Sequence, residues 1–187
     1  MAAGRPRGGI QVLLLRGINV GGKHKLPMKA LAELVTELGG SEVRTLIQSG
    51  NVVLRASAAV ARRLPQTLPP AIEAAFGFAP PVMLRSAAQL QKAIEQNPFL
   101  AEGVDPDKLH LTFCATTPDP TLVAAIDRTR FLPDRFALID DELYLHTPDG
   151  LGRSKIGIFN FDRALKTICT TRNWRTVSKL LALTESL

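Results

Sequence analysis

Residues 10–40 constrain the fold most. Residues 10–16 read IQVLLLR, an apolar, Leu-rich run with the composition of a strand. Gly17, Gly21 and Gly22 then break the chain into a loop. Pro27 suits a first helical turn, and Leu31, Leu34, Val35 and Leu38 recur at i, i+3, i+4 and i+7 before Gly39-Gly40 stops the pattern. A strand, a glycine loop and an amphipathic helix in that order must fold the helix back onto a sheet. Short strands at 43–48 and 52–55 follow, joined through the turn signal Ser49-Gly50-Asn51. A helical region interrupted at Pro65 and restarted at Pro69-Pro70 runs to Phe76-Gly77, and 81–84 completes the set. Strand, helix, strand, strand, helix, strand is the ferredoxin-like order.

The rest of the chain repeats this plan in part. A helix over 87–96 closes at Asn97-Pro98. Leu109, Leu111, Phe113 and Ala115 alternate with His110, Thr112 and Cys114, which predicts a half-buried strand. Pro120 opens a helix to about Thr129, and strands at 135–139 and 143–146 flank Asp140-Asp141-Glu142. Residues 154–183 read as mostly helical, broken at 170–173. The expected class is α+β: two ferredoxin-like (α/β-plait) units in tandem with a helical C-terminal segment. The expected domains are a basic disordered tail at 1–9, a first unit at 10–85 and a second at 86–187.

The charge balance narrows the partners. Lys and Arg number 23 against 17 Asp and Glu, for a net charge of +6. That excess favours phosphorylated small molecules or nucleic acid. The apolar runs are too short to span a membrane, so no membrane partner is expected. Two cysteines, Cys114 and Cys169, are too few for a disulfide framework and point to a reduced, cytoplasmic setting. His110 and His146 could lie side by side, but no third ligand accompanies them, so no metal and no cofactor are expected.

Gly17 to Lys23 fits the first seven positions of G-x-x-x-x-G-K-[ST]. A magnesium-nucleotide loop needs a hydroxyl at the eighth position and a helix starting at the Lys. Here the eighth position is His24, and Lys25-Leu26-Pro27 delays the helix. Residues 136–142 imitate an acidic-ended Walker B strand, but residues 143–146 follow at once, as in a hairpin. A different use fits better. In a ferredoxin-like unit the loop after strand one and the hairpin after strand two share a sheet edge. They would gather Arg16, Asn19, Lys23, His24, Lys25, Ser49 and Asn51 beside amides freed by Gly21 and Gly22, an arrangement suited to an anion. The corresponding edge of the second unit would be acidic, with Asp119, Asp140, Asp141 and Glu142.

Four segments carry a family resemblance: Arg16-Gly-Ile-Asn19-Val-Gly21-Gly22-Lys23, Gln48-Ser49-Gly50-Asn51-Val52-Val53, Asn97-Pro98-Phe99, and Thr171-Arg172-Asn173-Trp174-Arg175-Thr176-Val177. Together with Gly150, Gly152, Ser154 and Lys155, they resemble the bacterial domain-of-unknown-function family numbered 1697. The resemblance implies a ferredoxin-like α+β architecture and implies no reaction. Leu46 stands where such sequences often carry Tyr.

Gly150-Leu-Gly152-Arg153-Ser154-Lys155 is a second basic glycine loop. Ser154 could cap a following helix while Lys155 meets an anion. Arg172 and Asn173 sit at a helix break, where Asn173 suits an N-cap and Trp174 a core anchor. The candidate ligand-binding set is therefore Arg16, Asn19, Gly21, Gly22, Lys23, His24, Ser49, Asn51, Ser154, Lys155, Arg172 and Asn173. Three functions stand open: an anion-binding module, an enzyme acting on a phosphate-bearing small molecule with His24 as its acid or base, and a scaffold without a ligand. The oligomeric state is not legible.

Overall fold

A computed structural model describes residues 8–187. The tail expected at 1–9 lies outside the described residues except for its last two, and Gly9 already opens a strand. The elements run β1 (Gly9–Leu15), α1 (Met28–Glu37), β2 (Ser41–Leu46), β3 (Asn51–Ala56), α2 (Ala58–Phe76), β4 (Val82–Ser86), α3 (Ala87–Glu95) and the single turn α4 (Pro98–Ala101). The chain continues with β5 (Leu109–Cys114), α5 (Pro120–Ala124), β6 (Arg135–Ile139), β7 (Glu142–His146), α6 (Phe161–Leu165), β8 (Cys169–Asn173) and α7 (Trp174–Glu185).

Among the described residues eight strands form two four-stranded sheets, ordered β2-β3-β1-β4 and β6-β7-β5-β8. Every neighbouring pair is antiparallel. In each sheet the third strand separates the first two, which therefore run parallel to each other. The chain divides into two compact units, one running through Gln91 and regaining Leu180–Leu187, the other Lys92–Lys179. The division falls six residues after the boundary read at 85, and the last turns of α7 belong with the first unit. There the Arg55 guanidinium donates to the Leu187 carbonyl at 2.6 Å, and Arg44 donates to Ser186 at 3.0 Å.

Each unit has its own core. In the first, Leu13 and Leu15 of β1 meet Leu31 and Val35 of α1 and Leu64 and Leu68 of α2. In the second, Phe131, Phe136 and Phe161 pack with Leu143 and Leu165. The unbroken apolar run of β1 is explained by burial on both faces, since Val12 and Leu14 are as fully buried as Leu13 and Leu15.

The structure corrects four sequence expectations. The helix read as broken at Pro65 and Pro69-Pro70 is one element, α2, containing all three prolines. Its buried stripe, Ala61, Leu64, Leu68 and Ile72, outweighs the backbone bonds the prolines remove. Its ends are specified locally: Ser57 accepts from Val60 N–H, and Gly77 closes it at φ 78. Second, β5 is not half-buried, because Thr112 and Cys114 are buried as deeply as Leu111 and Phe113. Thr112 tolerates this by pairing its hydroxyl with that of Thr171 at 2.8 Å. Third, the segment expected to be helical at 154–183 holds a strand, β8, between two helices. Residues 169–173 bond to β5 in register, Cys114 opposite Cys169 and His110 opposite Asn173. The helical reading missed it because Thr170, Thr171 and Arg172 pattern as a break rather than a strand. Fourth, the helix expected from Pro120 to about Thr129 ends at Ala124, short of a separate turn of 3-10 helix at Thr129–Phe131.

Candidate functional site

The first glycine loop is a small hairpin held by one asparagine. Val20 and Lys23 form an isolated bridge, closed by Lys23 N–H donating to Val20 O at 3.1 Å. Gly21 and Gly22 make the turn at φ 58 and 76, so both positions need the left-handed region. Asn19, itself at φ 54, accepts from Leu26 N–H at 2.8 Å and donates to Leu26 O at 2.9 Å and Gln48 O at 2.8 Å. The loop and the β2–β3 hairpin do meet at one sheet edge, as the topology requires, and Asn19 is the clasp. Gly50 closes the joint: Leu15 N–H donates to its carbonyl at 2.8 Å, and a Cβ there would lie 2.7 Å from the Leu15 Cβ.

This arrangement separates the expected ligand residues into two groups. Asn19 and Asn51 serve the fold. Asn51 is fully buried and donates to Leu46 O and Ser49 Oγ. Lys23, His24 and Lys25 stand exposed, and the Gly21, Gly22 and Lys25 amides meet no acceptor among the described residues. α1 begins at Met28, five residues beyond Lys23, and residues 136–142 form the β6–β7 hairpin, so neither half of a magnesium-nucleotide site is assembled.

Beside the hairpin lies a shallow cleft of about 340 Å³, lined by Arg16, Gly17, His24, Phe78 and Pro80-Pro81. The His24 ring stacks on Phe78 at 4.7 Å, and its Nδ1 lies 3.1 Å from the Gly17 carbonyl. A carbonyl only accepts, so this contact calls for a proton on Nδ1, and in the neutral ring the lone pair then lies on Nε2.

The second glycine loop differs from its sequence reading. Leu151–Arg153 is a turn of 3-10 helix, and no helix starts at Ser154. Ser154 is buried, donating to Leu151 O at 3.1 Å and accepting from Gly157 N–H at 2.8 Å, so it knits the loop. The following helix, α6, is capped by Asn160 instead, whose Oδ1 accepts from Arg163 N–H at 3.0 Å. Lys155, exposed beside this knot, lines a cleft of about 700 Å³ together with Arg130 and Arg163. Lys155 and Arg163 have no ion-pair partner among the described residues. Outside the lining stands Asp127. It feels Arg130 but is held by Thr129, whose hydroxyl and N–H donate to it at 2.6 and 2.9 Å. Among the described residues no Asp or Glu lines the cleft.

Arg172 and Asn173 are placed in β8. Arg172 is nine-tenths buried and donates to Thr170 Oγ1 at 2.8 Å and Thr171 O at 3.0 Å, and burial pushes its guanidinium down to about 10. Asn173 Oδ1 accepts from Thr176 N–H at 2.8 Å, capping α7 as its type suggested, and Trp174 is buried. In the first unit Ser86 does the same for α3, its Oγ accepting from Gln89 N–H at 3.1 Å while Gln89 accepts from Ser86 N–H at 2.8 Å.

Two other candidates are settled by register. Leu109, not His110, pairs with His146, so the two histidines project from opposite faces of the sheet and cannot share a metal. His110 Nδ1 is buried without a partner, and burial lowers the affinity of its ring for a proton. Among the described residues no group of three or more His, Cys, Asp or Glu is placed to hold a metal. Cys114 and Cys169 are buried with their sulfurs 3.7 Å apart and no disulfide between them. The expected acidic edge is largely engaged: Asp140 pairs with Lys92 at 2.7 Å, Thr117 donates to Asp141, and Asp119 caps α5. Arg130, Ile158, Phe159 and Arg163 were not singled out from sequence, because they come from three separate segments that carry no shared spacing.

No curated protein matches this sequence. The chain is similar in fold to the conserved bacterial protein SP0830 from Streptococcus pneumoniae, with a TM-score of 0.75 over 95% of this chain and 99% of that one at 20% sequence identity. The sequence model of the protein of unknown function family DUF1697 matches residues 10–144, a span that holds the Asn19 clasp, the Gln48-Ser49-Gly50-Asn51 hairpin and Asn97-Pro98-Phe99 and stops before the second glycine loop. Over nearly three-quarters of its length, then, this chain belongs to the DUF1697 family.

Proposed function

We propose that this protein binds a phosphate-bearing ligand, and that the cleft of the second unit is its principal seat. One observation carries the reading. Arg130, Lys155 and Arg163 converge on a single cleft whose lining holds no carboxylate. Cations gathered with no carboxylate in the lining between them repel one another, and a bound anion relieves that repulsion. The first-unit loop is the second, weaker seat, with Lys23, His24 and Lys25 around unpaired amides. The reading takes each unit as a ferredoxin-like plait, supported by the split strand order and by the meeting of loop and hairpin at one edge. It also takes the protein as cytoplasmic, supported by two buried thiols without a disulfide. No helix among the described residues is long and apolar enough to cross a membrane.

The test is titration with pyrophosphate, a nucleoside monophosphate and a short oligonucleotide at low and raised salt. Binding that weakens as salt rises supports the reading. Failure of all three to bind, or to raise the melting temperature at low salt, sinks it. Catalysis on a phosphate-bearing small molecule is the second reading. The His24–Gly17 contact favours it, because it leaves Nε2 as a base in the cleft that Arg16 also lines. Turnover unaffected by His24→Gln would remove that reading.

A further inference from the structure

The cleft that Arg130, Lys155 and Arg163 surround is more than a patch of positive charge. Its floor is apolar. Phe131 and Phe159 meet edge to face with centroids 5.0 Å apart, and Phe159 meets Phe161 likewise at 4.9 Å. Phe131 also touches Phe136, which touches Phe161, so the rings close into a cycle of four. Edge-to-face packing of this kind fixes ring planes, so the part of Phe159 that reaches the cleft is backed by an ordered aromatic core. Ile158 rises beside it with 85% of its surface exposed, the most exposed of the large hydrophobic residues among the described residues. The Arg130 guanidinium sits 5.6 Å from the centroids of both Phe131 and Phe159, which holds it at the junction of the apolar floor and the charged rim.

A bare phosphate would use the rim and leave the floor and Ile158 in water. A nucleic-acid backbone would do the same, since its charge is strung along an extended surface rather than set above an apolar body. A ligand that answers both halves carries a phosphate at one end and an apolar, ring-sized body at the other. The space of about 700 Å³ lies in the range of small-molecule sites. Resting on the anion-binding reading above, we infer that this cleft takes an organic phosphate monoester with an aromatic body. Arg163, Lys155 and Arg130 hold the phosphate, and Ile158 and Phe159 cover the ring, with the buried Phe131 backing Phe159 from the core. The cleft lined by Arg128, Leu132 and Arg135 is a poorer candidate, because Glu102 and Asp134 also line it and Glu102 already pairs with Arg135 at 2.8 Å.

The experiment compares 1-naphthyl phosphate with inorganic phosphate on the full chain, by calorimetry and by amide shifts in heteronuclear NMR. The expected result is at least tenfold tighter binding of the naphthyl ester, with the largest shifts at residues 155–164. Ile158→Ser, at an exposed position that the fold does not need, should bring the preference below about threefold and leave inorganic phosphate unchanged. Arg163→Gln should weaken both ligands at least fivefold. Equal affinity for the two ligands, or a preference that survives Ile158→Ser, overturns this inference and leaves the broader anion reading standing. Absence of binding by either ligand overturns both.

Discussion

The two units share a strand order and differ in what surrounds it. In the first, the connection from β1 to α1 is long, carries the Gly21-Gly22 turn and is clamped by Asn19. In the second, the connection from β5 to α5 is short, and hydroxyls do the clamping: Thr116 donates from both N–H and Oγ1 to Thr167 Oγ1, at 3.1 and 2.8 Å. The first unit spends its length on two long helices over an aliphatic core. The second replaces α2 with the five-residue α6 and an irregular loop, fills its core with phenylalanines, and thereby opens the cationic cleft. A repeated scaffold can keep its backbone plan while its exposed basic residues move from the strand edge to the helix side.

That comparison can be broken at the hairpins. Gly50→Ala forces a Cβ into Leu15 and Ile18 at a left-handed position, and the first unit should lose about 3 kcal/mol by denaturant unfolding. The matching turn of the second unit is already occupied by a non-glycine residue, Asp140 at φ 52, whose partner Lys92 is exposed. Asp140→Gly should therefore change stability by less than about 1 kcal/mol, because a surface ion pair contributes little. Equal losses at the two turns would show that the first hairpin is not specially constrained.

The clasp comes next. Asn19→Ala removes three hydrogen bonds, one of them across to the β2–β3 hairpin, and should cost about 2 kcal/mol. It should also raise amide exchange at residues 17–26 and leave the second unit untouched. A smaller effect is expected from Tyr144→Phe in β7, which leaves the Ala93 carbonyl without its 2.8 Å donor, at about 1 kcal/mol.

Acid should distinguish the units. Burial lowers the proton affinity of His110 and of His146 below the ordinary 6.5, and both belong to the second unit. The unfolded chain then binds more protons than the folded one once pH falls below that value. The stability that this contributes to the second unit should thus be present above the ordinary histidine value of 6.5 and be lost as pH falls below it. His110→Phe should flatten that decline, and an unchanged pH profile would contradict the assignment. The smallest effect is expected at Lys23→Gln, which should shift stability by less than about 0.5 kcal/mol because the side chain is exposed and unpaired.

Element order in the first unit was legible because its signals are local: the i, i+3, i+4, i+7 stripe of α1, the Gly39-Gly40 stop and the Ser49-Gly50-Asn51 turn. From that order the meeting of loop and hairpin followed. What sequence misread was decided by tertiary packing. Three prolines do not end α2, because its stripe is buried; β8 forms from Thr-rich sequence, because β5 offers it an edge. The glycine-lysine motif was visible, but the division of labour within it was not. Nothing in the letters says that Asn19 and Asn51 turn inward while Lys23 stands free. Arg130 and Arg163 were hidden for a similar reason, being brought to Lys155 by the fold alone.

The central claim is that the second-unit cleft holds the phosphate. It is tested most directly by titrating inorganic pyrophosphate into the full chain and into the Lys155→Gln/Arg163→Gln double variant at low salt. The account predicts saturable binding that falls at least tenfold in the variant, while Lys23→Gln/Lys25→Gln costs less than threefold. Binding that is absent, or that survives loss of Lys155 and Arg163 and disappears with Lys23 and Lys25, would contradict it.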